Sequence, residues 1–102
     1  MTEGKAMQGT EKQIEWAEKI KTEADAVMWQ RVEDANRRVI NGDMPAQWAA
    51  AVYDAYQAIR AALAKDAAEN GDTAAHWIEN RARIIGVAQN LEKLARKNYK
   101  AA

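Results

Sequence analysis

A chain of 102 residues with fifteen basic and fifteen acidic side chains and no cysteine has the size of one domain with one modest core. The missing thiols exclude disulfides, thiolate catalysis and cysteine-ligated metal centres, and zero net charge is unlike the basic excess of a protein that lives on phosphate contacts. Abundant alanine, a single proline and no phenylalanine favour helices over strands, so the expected fold class is all-α.

Residues 1–9 are polar and read as a disordered leader, ahead of a single helical domain over 10–102. Thr10 opens the first helix. Its hydroxyl can accept from an otherwise unpaired first-turn amide, Gln13 can return a bond to the Thr10 amide, and Glu11 suits the positive end of the helix dipole. Helix one is expected over about 11–41, with Ile14, Ala17, Ile20, Ala24, Val27, Met28, Val32, Ala35 and Val39 on one stripe close to the 3.6-residue repeat. At 1.5 Å per residue such a helix is about 45 Å long. It is longer than either partner and must overhang, bend or find another surface.

Asn41-Gly42-Asp43-Met44-Pro45 is the first break, with Gly42 suited to a left-handed cap and Pro45 to the start of the next helix. Helix two follows to about residue 69, with Trp48, Val52, Ala55, Tyr56, Ile59 and Leu63 facing inward. A second break at Asn70-Gly71-Asp72-Thr73 leads to helix three, expected over 73–99 with Trp77, Ile84, Ala88, Leu91 and Ala95 in the core. Three amphipathic helices on short connections imply an antiparallel three-helix bundle with a long first helix. The 4-3-4-3 spacing of Trp77, Arg81, Ile84, Ala88, Leu91, Ala95 and Asn98 is also that of a coiled-coil seam, which leaves a homodimer open.

Nothing in the chain has the form of a catalytic site. There is no glycine-rich phosphate loop, no Gly-x-Ser-x-Gly elbow and no Glu-x-x-His pair, and the acids are interleaved with lysines as surface ion pairs are. His76, the single histidine, shares a polar face with Asn80 and Arg83 and is expected to face solvent. It is a poor metal site without cysteine or an acidic cluster. The expectation is a protein with no enzymatic activity, no cofactor and no metal. No apolar run approaches the roughly 20 residues that cross a bilayer, and a cytoplasmic setting is expected.

Four tryptophans exceed what a minimal core needs. Trp48 and Trp77 fall centrally on their stripes and Trp16 at a stripe edge, whereas Trp29 and Ile40 leave the stripe of helix one and Tyr53 that of helix two. Ile78 and Ile85 border the core of helix three. Tryptophan and tyrosine bury large areas with few rotatable bonds and dominate binding hot spots, so Trp29, Ile40, Tyr53, Ile78 and Ile85 are the candidate partner contacts. Trp29→Ala is expected to weaken binding while leaving stability nearly unchanged. The alternative is nucleic-acid binding: residues 72–102 carry six basic and three acidic groups, Arg81, Arg83, Arg96 and Lys97 make helix three basic, and helices two and three could be read as a helix-turn-helix.

Two fragments, Gly9-Thr10-Glu11-Lys12-Gln13-Ile14-x-Trp16-Ala17-Glu18-x-Ile20 and Ala75-x-Trp77-Ile78-x-Asn80-Arg81, together resemble a small helical domain of phages, plasmids and other mobile elements of Gram-positive bacteria. The resemblance covers about a fifth of the chain. It implies an accessory protein that binds a host or mobile-element protein, in a class that includes inhibitors of host defence such as anti-CRISPR proteins.

Overall fold

The computed structural model describes residues 7–101, which form five helices and no strand: α1 (Glu11–Ile40), α2 (Ala46–Glu69), α3 (Ala74–Glu79), α4 (Arg81–Gln89) and α5 (Leu91–Ala101). The protein is all-α with a long first helix. α1 runs the length of a molecule whose longest dimension is 48 Å.

The chemistry of the helix ends follows the sequence closely. The Gln13 amide donates to Thr10 Oγ1 at 3.1 Å and the Thr10 amide donates to Gln13 Oε1 at 3.0 Å, closing the capping box. α1 ends with Gly42 at a positive φ of 83° and the Asp43 amide reaching back to the Arg38 carbonyl at 2.8 Å, which satisfies a carbonyl that has no partner inside the helix. Thr73 caps α3, its hydroxyl accepting from the His76 amide at 3.2 Å.

The expected third helix over 73–99 is interrupted twice. Asn80 (φ −106°, ψ 14°) and Asn90 (φ −90°, ψ 13°) sit between helices. At Asn80 the cause is local: its side-chain amide donates to the His76 carbonyl at 2.8 Å, so side chain and backbone compete for one acceptor. At Asn90 the amide is shared between the Gly86 and Val87 carbonyls. The breaks redirect the chain, because α3 and α4 pack on α1 whereas α5 packs chiefly on α2.

All six residues expected inside from α2 are buried, and so are Trp77, Ile84, Ala88, Leu91 and Ala95. On α1, Ala17, Ile20, Ala24, Met28, Val32 and Ala35 are buried, with Ile14, Val27 and Val39 half-buried at the edges. The possible coiled-coil seam is therefore filled from within: Ile84, Ala88, Leu91 and Ala95 have no exposed surface to offer a second copy.

Of the leader expected over 1–9, residues 1–6 lie outside the described residues. Residues 7–9 differ from that expectation. Met7 is buried, the Gln8 amide donates to the Asp72 carbonyl at 3.2 Å, and the Ala74 amide donates to the Gln8 carbonyl at 2.7 Å. Gly9 has a φ of +148°, and a Cβ there would stand 3.0 Å from Ala74 Cβ and 3.1 Å from Gln13 Oε1. Both the backbone angle and the space require glycine. Gly9→Ala is expected to cost about 1–3 kcal/mol, measured as a lower urea midpoint at unchanged helicity; full stability would show that this contact is dispensable.

Candidate interaction surface

Along the junction of α1 and α2, Tyr56 is the fixed point. Its ring is buried, and its hydroxyl donates to Asp25 Oδ1 across the two helices at 2.8 Å. Burial and this bond to a carboxylate both hold the Tyr56 phenol above its ordinary pKa, with the nearby Arg60 charge opposing. Arg60 lies 5.3 Å from the Tyr56 ring centroid and 3.4 Å from Asp25. One acid, one phenol and one guanidinium thus pin a buried ring in place.

Trp29 and Tyr53 both pack against that ring. The Trp29 and Tyr56 centroids are 5.4 Å apart and those of Tyr53 and Tyr56 are 6.0 Å apart, both tilted. Trp29 remains 42% exposed and Tyr53 43%, and the Tyr53 hydroxyl accepts from Gln57 at 2.7 Å. Two outer aromatics held by a buried third form a rigid apolar surface with polar edges. This changes one expectation: because Trp29 packs partly on Tyr56, its removal reaches beyond the surface.

The aromatic triplet continues into a groove of about 520 Å3 through the shared residues Asp25 and Arg60. Met28, Leu63, Ala67 and Trp77 are its apolar lining. The Lys21 ammonium lies 5.4 Å from the Trp77 ring centroid.

The remaining partner candidates are not brought to this surface. Ile40 is 83% exposed and lies on the same side of α1 as Trp29, but roughly 16 Å along the axis. Ile78 and Ile85 are half-buried and pack against the core. Trp16 and Val87 are exposed elsewhere.

The residues of the nucleic-acid alternative are dispersed. Arg81 makes two bonds to Glu23 of α1, at 2.9 and 3.0 Å, and Arg83 bonds Asp66 of α2 at 2.9 Å. Both guanidiniums clamp the chain after α3 onto the longer helices. Arg96 and Lys97 are exposed on α5. The end of α3 that a helix-turn-helix would present is also used internally, because α3 has only six residues and His76 is 8% exposed.

His76 corrects the expectation of a solvated face. Its Nε2 lies 3.5 Å from Asp66 Oδ2 and its Nδ1 3.4 Å from the Asn80 amide nitrogen, while its ring meets Trp77 edge-on at 5.9 Å. Its neighbour Asp66 belongs to a different helix, α2, and no local pattern announces the burial. Among the described residues no three acidic or histidine side chains group as a metal site would need, and no helix is long and apolar enough to cross a membrane.

Asp66 is the electrostatic centre of this cluster. The Arg83 hydrogen bond holds its carboxyl below the usual carboxylate range, aided by the Arg83 charge and by His76, with desolvation opposing. A folded-state pKa below the unfolded value means that the unfolded chain binds more protons across that interval. The stabilisation is therefore present above the ordinary carboxylate value and is lost as pH falls through the depressed one. In chemical denaturation, wild type is expected to exceed Asp66→Asn at neutral pH and to converge with it below about pH 4; a gap that persists in acid would contradict the pairing.

No protein-family model, curated protein or solved structure matches the chain.

Proposed function

We propose that this protein is a non-enzymatic protein-binding module whose contact surface is the Trp29–Tyr53 pair seated on Tyr56, extended by the groove toward Trp77. The observation that carries the reading is the half-exposure of two large aromatics that a buried, hydrogen-bonded third ring holds in place. Pre-organised tryptophan, tyrosine and arginine at the edge of an apolar groove are the residues and setting of a binding hot spot. Neighbouring charges of both signs, Lys21, Asp25 and Arg60, would supply the polar rim.

The five helices are read as an up-down-up bundle in which α3, α4 and α5 take the place of a third long helix. Support comes from Arg81, at the start of α4, meeting Glu23 toward the middle of α1 and Tyr99 of α5 meeting Trp48 at the start of α2, with ring centroids 5.7 Å apart. This arrangement leaves the Trp29 side of the α1–α2 junction uncovered.

The resemblance of the two motifs to mobile-element proteins supplies the setting: a cytoplasmic accessory protein acting on a host or element protein, with inhibition of a host defence system such as CRISPR-Cas as the proposed role. The test is affinity capture from a bacterial lysate with wild type and with Trp29→Ala/Tyr53→Ala as paired baits. A protein retained by the first and lost from the second supports the reading. Equal retention moves the site elsewhere, a nucleic acid on the wild-type bait favours the basic α5, and concentration-dependent sizing identifies a second copy as the occupant.

A further inference from the structure

A small cavity of about 180 Å3 lies between the C-terminal turns of α1, the start of α2 and α5. One wall is the edge-on pair of Trp48, buried, and Tyr99, half-buried. The charged groups around it are Arg38 of α1, Arg96 and Lys100 of α5, and a single carboxylate, Glu92. Three cations thus face one small space with one acid to offset them.

That arrangement differs from the other arginines whose partners are known. Arg37, Arg60, Arg81 and Arg83 each meet a carboxylate; among the described residues, Arg38, Arg96 and Lys100 make no ion pair. Gathering like charges around one small space is unfavourable even where solvent screens them in part, and an anion placed among them would relieve it. A bound anion would turn that repulsion into attraction.

We infer that this cavity is a binding site for a phosphate group, either as the free ion or as the terminal phosphate of a small phosphomonoester. Two guanidinium forks match phosphate oxygens bidentately and a lysine adds a point charge, which distinguishes phosphate from a monovalent halide. Size decides against a whole cofactor, because drug-sized and cofactor pockets run to about 300–1,000 Å3. The rest of a phosphomonoester would lie outside, over Tyr99 and the exposed face of α5. The site is separate from the Trp29 surface, Arg38 being about 14 Å farther along α1, so either can fail without the other.

The experiment is an NMR titration of the full chain with sodium phosphate at constant ionic strength, following the Trp48 indole N–H, with sodium chloride as control and a nucleoside monophosphate as second arm. A saturating shift with phosphate, absent with chloride and about tenfold or more weaker in Arg38→Gln and Arg96→Gln, supports the site. Tighter binding of the nucleoside monophosphate assigns it to a phosphorylated small molecule, and equal or weaker binding to free phosphate. No saturation, an equal chloride response, or unchanged affinity in both variants overturns the proposal. Both arginines are exposed, so the variants should fold; Lys100→Gln, which removes the third cation, provides a further check.

Discussion

Trp29→Ala is expected to weaken partner binding roughly 30- to 1,000-fold, the 2–4 kcal/mol typical of a central aromatic anchor. The indole is 42% exposed and seated on Tyr56, so binding would bury a large area that is already ordered before the partner arrives. The same variant also loses an aromatic pair and half-buried surface, and its folding stability should fall by about 1–2 kcal/mol. Tyr53→Ala separates the two effects, since Tyr53 lies farther from Tyr56, at 6.0 Å, and its loss should weaken binding with less effect on folding. Isothermal titration of both variants against the captured partner, with urea denaturation alongside, reads both quantities. Loss of binding only in proportion to unfolded protein would assign Trp29 to the core.

Trp77→Ala is expected to be the most damaging substitution for the fold, costing about 3–5 kcal/mol of a total that for domains of this size is about 5–15 kcal/mol. Trp77 is 5% exposed, meets His76 edge-on and carries Lys21 over its ring. It holds the short α3 against α1 at the point where the chain turns back from α2. The melting temperature should fall by more than about 10 °C. Trp77→Phe supplies the control: Trp77 Nε1 is buried with no hydrogen-bond partner among the described residues, so phenylalanine forfeits no bond and should recover most of the loss. A phenylalanine variant as unstable as alanine would mean that the indole N–H is held by a bond of its own.

The helices and their inward faces were legible because periodicity is local. Thr10 and Gln13, the Gly42 cap, and the stripes from Ala17 to Ala35 and from Trp48 to Leu63 each follow from residues a few positions apart. Trp29 and Tyr53 were legible as residues lying off those stripes. Their junction through Tyr56 was not, because Tyr56 reads simply as core, and its bond to Asp25 joins residues 31 positions apart. The separation is 58 positions for Glu23 and Arg81, and periodicity carries no information about such pairs. The breaks at Asn80 and Asn90 were missed because the apolar repeat continues through them, while the bonds found there are a side-chain amide turned onto its own helix at Asn80 and a shared backbone amide at Asn90.

The resembling fragments acquire a physical reading from the same contacts. Gly9 lies against Ala74, Lys21 over Trp77, and Glu23 on Arg81, so the first half of α1, with the residue that precedes its cap, is tied to α3 and the start of α4. Thr10, Gln13 and Trp77 are capping or packing residues there. The Trp29–Tyr53 part of the proposed binding surface lies outside both fragments, on α1 and α2, and its groove reaches the second fragment at Trp77.

Site-specific photo-crosslinking tests the central claim most directly. A photo-reactive phenylalanine analogue would be placed at position 53, on the proposed surface, and in parallel at position 82, exposed on α4. Illumination in lysate should join the position 53 protein to one discrete partner, with the crosslink lost when Trp29→Ala is added, and should leave the position 82 protein unjoined. A partner crosslinked from position 82 and not from position 53 would contradict the assignment of this surface.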